Sequence, residues 1–132
     1  EFKSRTRTPV IDLMHGQRDV KSKGGTMRLG EYTCEVKPKT KVAAAYGKRV
    51  IRERHRHRFE VNNKYRDQME KNGLIISGLN KELDLVEMIE LPNHPWYIGV
   101  QFHPELKSRV IEAHPLFREF IAAAIEFKND QS

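Results

Sequence analysis

The sequence has a single cysteine, Cys34, and this scarcity excludes an internal disulfide framework. A lone thiol fits a reducing compartment, so we expect a cytoplasmic protein. No apolar run approaches the roughly 18 residues that a membrane span requires, and no signal-peptide pattern is present. Internal repeats and low-complexity segments are also missing. We therefore expect no membrane partner and no array of repeated units.

The first residue is Glu1 and not Met, which indicates a processed product or a fragment. The length of 132 residues is typical of one domain. Hydrophobic residues make up 38% and charged residues 32% of the chain, a balance that indicates a globular domain with a modest core and a heavily solvated surface. The net charge of +6 permits an anionic partner such as a nucleotide or nucleic acid, but it does not demonstrate one.

The pattern of apolar residues predicts a mixed fold. Apolar runs bounded by Gly, Pro and Asn indicate strands, and apolar residues along one face indicate helices. Strands dominate the middle of the chain and helices flank them, so the fold class is α/β or α+β. The predicted strands cover residues 10–14, 27–36, a segment from 50 onward, 74–78, 85–90 and 96–102, and the predicted helices cover 40–47, 64–71 and 116–127.

An acid–base pair follows the last predicted strand. His103 and Glu105 flank Pro104, directly after a hydrophobic run. Pro104 holds its own φ at about −65° and favours an extended conformation at His103. In an extended segment, residues two apart project to the same side, so the carboxylate can orient the imidazole and stabilise its charge. This is the base and orienting half of a catalytic triad, and it needs a nucleophile.

No residue in the sequence is a convincing nucleophile for His103. Cys34 has bulky and β-branched neighbours within an alternating strand, whereas a nucleophile elbow needs small residues on both sides. We therefore interpret Cys34 as a structural thiol. Ser77 and Ser108 also lack the elbow context. If the triad exists, its first member lies outside this chain.

The basic cluster Arg54-His55-Arg56-His57-Arg58 has several open interpretations. A solvated basic edge is the simplest. A zinc site has little support, because two His at i and i+2 among cations, without a Cys partner, disfavour a dication. A nucleic-acid patch has the charge but lacks interleaved aromatic residues. A strand end at an active site would place the three arginines on one side, where one guanidinium can clamp a substrate carboxylate.

Other side chains are assigned structural roles. The apolar face of the last helix is predicted to pack the core through Phe117, Phe120 and Ile121. Four histidines are also interpreted as non-catalytic. The two within the basic cluster are structural or support site residues from behind, and the two before Pro in turns serve loop geometry. The four are His55, His57, His94 and His114.

Three segments that occur in order carry a family resemblance. A lone His-Pro-Glu, as in the third of these segments, would indicate only the class I amidotransferase superfamily. The other two segments narrow the resemblance to one family within that superfamily. Together the three segments resemble the C-terminal half of the glutamine amidotransferase domain of the CTP synthase family, and the resemblance covers nearly the whole chain, so we assign residues 1–132 to this domain. It implies an α/β fold, an incomplete flavodoxin-like sheet flanked by helices. The segments are Gly24-Gly25-Thr26-Met27-Arg28-Leu29-Gly30, Glu53-Arg54-His55-Arg56-His57-Arg58-Phe59-Glu60-Val61-Asn62 and Gly99-Val100-Gln101-Phe102-His103-Pro104-Glu105.

The resemblance implies a mechanism and residue roles. In the family a Cys thiolate attacks the carboxamide of L-glutamine, ammonia leaves, and water hydrolyses the thioester. The ammonia passes to a synthetase domain that aminates ATP-activated UTP to CTP. By resemblance, His103 is the general acid/base and Glu105 orients it, Arg58 contacts the substrate α-carboxylate, and Glu1 holds the α-amino group. The resemblance assigns no metal ligand or cofactor to this segment, but implies ATP, Mg²⁺ and a GTP effector for the full enzyme.

The family features that this sequence lacks define its expected partners. The Gly-x-Cys-x-Gly nucleophile elbow and the Gly-rich oxyanion loop are expected upstream of Glu1, and the synthetase domain is missing as well. The resemblance implies a homotetrameric full enzyme without nucleic-acid or membrane partners. We expect the chain alone to be inactive and to expose strand edges and an unfilled core face. The alternative is a catalytically inactive amidotransferase-like fragment that binds glutamine or an anion.

Overall fold

The computed structural model describes residues 6–13 and 27–130. Every predicted helix and strand has a counterpart, although the last strand is shorter than expected. In chain order the strands are β1 (Ile11–Leu13), β2 (Arg28–Val36), β3 (Val50–His57), β4 (Phe59–Val61), β5 (Ile75–Asn80), β6 (Leu85–Glu90) and β7 (Ile98–Val100). The helices are α1 (Lys41–Tyr46), α2 (Arg66–Lys71) and α3 (Pro115–Asp130), and 3-10 turns cover Asn63–Tyr65 and Pro104–Leu106.

The strands form one larger and one smaller antiparallel sheet. The five-stranded sheet has the order β3-β2-β5-β6-β7, and β1 pairs with β4 in the two-stranded sheet. The predicted mixed class, a sheet flanked by helices, is confirmed. None of the helices in residues 6–13 and 27–130 is long and apolar enough to cross a membrane.

The hairpin of β2 and β3 sets the two faces of the sheet. In its register Cys34 lies opposite Ile51 and Gly30 lies opposite His55. Successive residues of a strand point to opposite faces, so Ile51, Glu53 and His55 are buried while the arginines between them are exposed. Most of the core residues pack around this hairpin. The buried residues of this core are Cys34, Val36, Val42, Ala45, Ile51, Met88, Phe102 and Leu116.

Short helix α1 is capped at both ends. The Thr40 hydroxyl accepts a hydrogen bond from the Ala43 amide at 3.1 Å, and Gly47 closes the helix at a φ of 62°. The buried Glu90 carboxylate accepts hydrogen bonds from the amides of Lys41 and Val42 at 3.0 and 3.3 Å. This carboxylate therefore ties the first turn of α1 to the end of β6.

The apolar face of α3 does not pack the core. Leu116 is buried, but Phe117, Phe120 and Ile121 are 41%, 51% and 56% exposed. The prediction that these three side chains form core packing is therefore wrong for the described residues. The pattern correctly predicts an amphipathic helix, but its apolar side chains stay about half exposed, although α3 contacts α1 and Phe117 packs against the His114 ring.

Candidate active site

The predicted contact between His103 and Glu105 is present. The His103 Nδ1 atom lies 2.7 Å from Glu105 Oε1. A carboxylate only accepts hydrogen bonds, so Nδ1 carries the proton and donates it to this bond. In a neutral imidazole, Nε2 is then the basic nitrogen. The side chains are 38% and 58% exposed, which leaves the pair open to a substrate.

The backbone holds this pair differently from the expected extended segment. His103 is extended, with φ −110° and ψ 90°, but Pro104 starts the 3-10 turn Pro104–Leu106 that contains Glu105. The turn curls the carboxylate back toward the ring, so the contact does not depend on extended i, i+2 geometry. The His103 amide also donates to the Arg54 carbonyl at 2.9 Å, which fastens the pair to β3. The hydrogen bond from His103 lowers the pKa of Glu105.

Arg58 lies in the bend between β3 and β4 and is half-buried. Arg54 and Arg56 share the exposed face of β3, whereas Arg58 follows the strand in the bend. The expectation that three arginines share one side is therefore only partly met. The strand β3 thus binds the backbone of His103 and ends at His57, directly before Arg58. Glu1, the other predicted glutamine contact, lies outside the described residues, as do Gly24, Gly25 and Thr26.

The Cys34 thiol lies in the core within β2 and is 1% exposed. Burial raises the pKa of this thiol to about 12, and the carboxylates of Glu87 and Glu53 add to the effect. A thiol in these surroundings stays protonated at neutral pH and is inert. These observations support the interpretation of Cys34 as structural.

A buried ionic network lies under the basic cluster. Arg28 is hydrogen-bonded to Glu87, and its other terminal nitrogen lies 3.5 Å from Glu60. His55 Nε2 approaches Glu87 at 3.3 Å, and His55 Nδ1 is 2.8 Å from His57 Nε2. The His55 ring also packs edge-on against Phe102, with 6.0 Å between centroids. Because Phe102 immediately precedes His103, the buried network packs directly beside the acid–base pair.

Burial sets the charge states within the network. It lowers the pKa of His55 to about 3 and of His57 to about 4, and the charge on Arg28 acts in the same direction. Burial also raises the pKa of Glu87 and raises that of Glu60 to about 7. Both imidazoles are therefore neutral at neutral pH. Two carboxyl groups thus face one guanidinium, and the raised pKa values of both carboxyl groups favour their protonated forms.

Sequence reasoning missed this network although a signal was present. The apolar Ile51 marks the buried phase of β3, and the same phase continues through Glu53, His55 and His57. The prediction concentrated on the arginines, which occupy the exposed phase. Counting from Ile51 would have placed the two imidazoles and Glu53 inside.

A second buried cluster involves Glu53 and His114. His114 Nε2 lies 3.1 Å from Glu53 Oε1, and the Tyr46 hydroxyl donates to the same oxygen at 2.9 Å. His114 was interpreted as a turn residue that serves loop geometry. Its carbonyl does begin α3 by accepting from the Phe117 amide, but its ring is buried and paired.

The family model that matches the chain is that of the class-I glutamine amidotransferases, over residues 8–123. The chain belongs to this family. A CTP synthase of Chlorobium phaeobacteroides is 60% identical over 127 residues, which are 96% of this chain and 22% of the relative. A CTP synthase of Chloroherpeton thalassium is 54% identical over all 132 residues, or 24% of its own length.

Among solved structures, the glutaminase domain of Trypanosoma brucei CTPS with bound acivicin is similar, with a TM-score of 0.85 and 32% identity. The alignment covers 96% of this chain and 49% of that domain. The resemblance to CTP synthases and the expected fold of this amidotransferase are thereby confirmed. The chain spans less than a quarter of the length of the curated relatives and about half of the solved domain.

Proposed function

We propose that this chain is the C-terminal half of the glutaminase domain of a CTP synthase. Within that enzyme it would release ammonia from L-glutamine for the ATP-dependent amination of UTP to CTP. The observation that carries the proposal is the 2.7 Å contact of His103 Nδ1 with Glu105, which leaves Nε2 as a base. Support comes also from the similarity to CTP synthases along nearly the whole chain.

In the proposed mechanism His103 Nε2 takes the proton from a cysteine thiol supplied by a segment outside this chain. The thiolate attacks the carboxamide carbon of glutamine, and His103 returns the proton to the departing nitrogen, so that ammonia leaves and a thioester remains. Water activated by the same imidazole hydrolyses the thioester to glutamate and free thiol. Glu105 keeps the proton on Nδ1 throughout and stabilises the imidazolium that forms in each step.

Arg58 is proposed to bind the α-carboxylate of glutamine. A guanidinium presents a planar pair of donors that matches a carboxylate. Its half-buried position in the bend after β3 supports this role. The contact of Glu1 with the α-amino group remains part of the same proposal.

The proposed partners include the other half of the glutaminase domain. The exposed apolar side chains of α3 support such a partner, because neighbouring exposed apolar side chains on one helix face often mark an interaction site. The chain alone is proposed to be inactive, because Cys34 is buried and protonated and is unsuited to act as the nucleophile. A homotetramer, a cytoplasmic location and the absence of nucleic-acid and membrane partners belong to the same proposal.

ATP, Mg²⁺ and the GTP effector are proposed for the full enzyme. The described residues contain no group of three or more His, Cys, Asp and Glu side chains arranged to hold a metal ion. By the resemblance, ATP and Mg²⁺ would act in the synthetase domain, and glutamine hydrolysis as proposed here uses neither. The alternative of an inactive binding fragment is not favoured by the close similarity to CTP synthases.

The test replaces His103 with Ala in the full-length enzyme that contains this chain. Glutamine-dependent CTP formation should fall by about 10²-fold or more, because the general acid/base is lost. Ammonia-dependent CTP formation should persist, because free ammonia bypasses the glutaminase. The matched control is His94→Ala, since His94 also precedes a Pro but is exposed in a turn, and it should keep most of both activities. Loss of the ammonia-dependent rate in His103→Ala, or retention of the glutamine-dependent rate, would contradict the proposal.

A further inference from the structure

The His57 ring spans the bend that carries Arg58. Its Nδ1 atom lies 3.1 Å from the Phe59 carbonyl oxygen and 3.3 Å from Glu60 Oε1. A carbonyl oxygen and a carboxylate oxygen both accept hydrogen bonds, so the proton of His57 is on Nδ1. The side chain of the residue before Arg58 is thus hydrogen-bonded to the backbone of the residue after it.

The rest of the buried network fixes that ring in place. A neutral His57 with its proton on Nδ1 must accept at Nε2, so His55 Nδ1 donates across the 2.8 Å contact. His55 Nε2 then faces Glu87 Oε2 at 3.3 Å, a close polar contact without a hydrogen bond. The two hydrogen bonds of the His57 ring, one to the Phe59 carbonyl and one from His55, determine its orientation.

The network connects the bend to two other strands. Arg28 on β2 bridges Glu87 on β6 and Glu60 on β4, and its guanidinium lies 4.2 Å from the centre of the Tyr32 ring. The side chains of Arg28, Glu60 and Glu87 are each at most 4% exposed. The hydrogen bonds of the His57 ring to the Phe59 carbonyl and to His55 are buried beside these groups, so they restrict the positions open to the ring.

We propose that His57 is a positioning residue for glutamine binding, because its hydrogen bond across the bend sets the direction in which Arg58 presents its guanidinium. The role rests on the proposed function, since it presumes that Arg58 meets the α-carboxylate of glutamine. His57 does not touch the substrate in this role. It acts through Arg58, so its loss should weaken glutamine binding more than it slows the chemistry at His103.

The experiment measures glutamine-dependent and ammonia-dependent CTP formation in the full-length enzyme. His57→Phe keeps a planar ring but removes both ring nitrogens. It should raise the apparent KM for glutamine by roughly 10-fold, the equivalent of losing one or two buried hydrogen bonds, with a smaller change in kcat. His57→Asn places an amide N–H near the position of Nδ1 and should restore the KM to within about 3-fold of the starting enzyme.

The control is Arg56→Ala on the neighbouring position of β3. The Arg56 side chain points to the exposed face, away from the network, so the KM for glutamine should not change. Ammonia-dependent CTP formation should be equal in all variants, because it does not use the glutamine site.

An unchanged KM in a folded His57→Phe enzyme would overturn the role. Equal losses of the glutamine-dependent and ammonia-dependent rates would overturn it as well, since they would indicate a general structural effect. If His57→Phe does not fold, the comparison of His57→Asn with His57→Gln decides, because the longer Gln side chain places its amide near Nε2. A higher KM in the Gln variant supports the role, and equal values overturn it. Failure of the proposed function itself would appear separately, as an unmodified enzyme without glutamine-dependent activity.

Discussion

At the scale of single residues, one strand separates two kinds of basic side chain. The arginines of β3 between Ile51 and His57 lie in water, whereas its imidazoles are buried among carboxylates. Burial without compensation disfavours charge, so the imidazoles stay neutral and the carboxylates hold protons more tightly than in water. As pH rises, the buried imidazoles and the buried carboxylates therefore change the stability of the fold in opposite directions. Substitution of single residues can separate the two contributions.

Glu60 should make folding less favourable as pH rises. Its pKa is raised from 4.5 to about 7 by burial, with the charge of Glu87 adding to the rise and that of Arg28 opposing it. Between these two values the folded protein keeps a proton that the unfolded chain has released, so the stability that this proton provides is lost as pH rises. The pKa values of His55 and His57 are lowered, so these imidazoles act in the other direction, between about 3 and 6.5 for His55 and between about 4 and 6.5 for His57.

Glu60→Gln should remove the unfavourable contribution and keep the shape of the side chain. The stability of the variant relative to the unmodified protein should increase by up to about 3 kcal/mol between pH 4.5 and pH 7. Urea unfolding at several pH values measures this difference. Glu126→Gln is the matched control, since Glu126 is exposed on α3, and it should follow the unmodified protein at each pH. Parallel profiles for Glu60→Gln and the unmodified protein would contradict the assignment.

At the scale of secondary-structure elements, the sheet depends on a close approach within β5. The β5–β6 register shifts on both sides of Gly78, as in a β-bulge. A Cβ atom at Gly78 would lie 2.5 Å from Met88 Cε and 2.7 Å from Cys34 Sγ. The bulge thus brings the backbone of β5 against two buried side chains of its neighbouring strands.

Gly78→Ala should destabilise the protein by about 1–3 kcal/mol, because the added methyl group overpacks this contact. The flexible end of Met88 can move, but Cys34 is held within β2. Cys34→Ala removes the sulfur, so the double variant should be more stable than the sum of the two single effects predicts, by about 0.5 kcal/mol or more. Urea unfolding of the four proteins measures the coupling, and strict additivity would show that the thiol does not limit the space at Gly78.

Local patterns in the sequence predicted the elements and the acid–base pair. The proximity of His103 and Glu105 follows from their spacing around Pro104, although a 3-10 turn produces it. Buried and exposed residues alternate along β3 from Ile51 onward, and this alternation is enough to predict that His55 points into the core.

The remaining features depend on distant partners that a local pattern does not contain. Arg28 meets Glu87 only because β2, β5 and β6 lie in that order in the sheet, which periodicity cannot determine. The exposed face of α3 was predicted as core for a related reason. A helix pattern identifies which residues are apolar, but it does not identify what covers them.

At the scale of the whole molecule, the apolar surface indicates a larger assembly. The chain aligns with 49% of the solved glutaminase domain, so half of that domain has no counterpart here. Phe117, Phe120 and Ile121 on α3 are about half exposed, and the helix has polar residues such as Glu126 on its opposite side. We therefore propose that another part of the glutaminase domain covers this apolar side in the full-length protein.

A charge placed on the apolar side of α3 distinguishes a covered face from a solvated one. In the full-length protein Ile121→Lys should reduce the stability of the glutaminase domain by about 2–4 kcal/mol, because it buries a cation and removes apolar contacts. Glu126→Lys on the opposite side should change stability by no more than about 0.5 kcal/mol. Thermal unfolding and glutamine-dependent CTP formation of both variants measure the difference. If Ile121→Lys behaves like Glu126→Lys, the face is in contact with water in the complete enzyme, and its partner must be sought elsewhere on the chain.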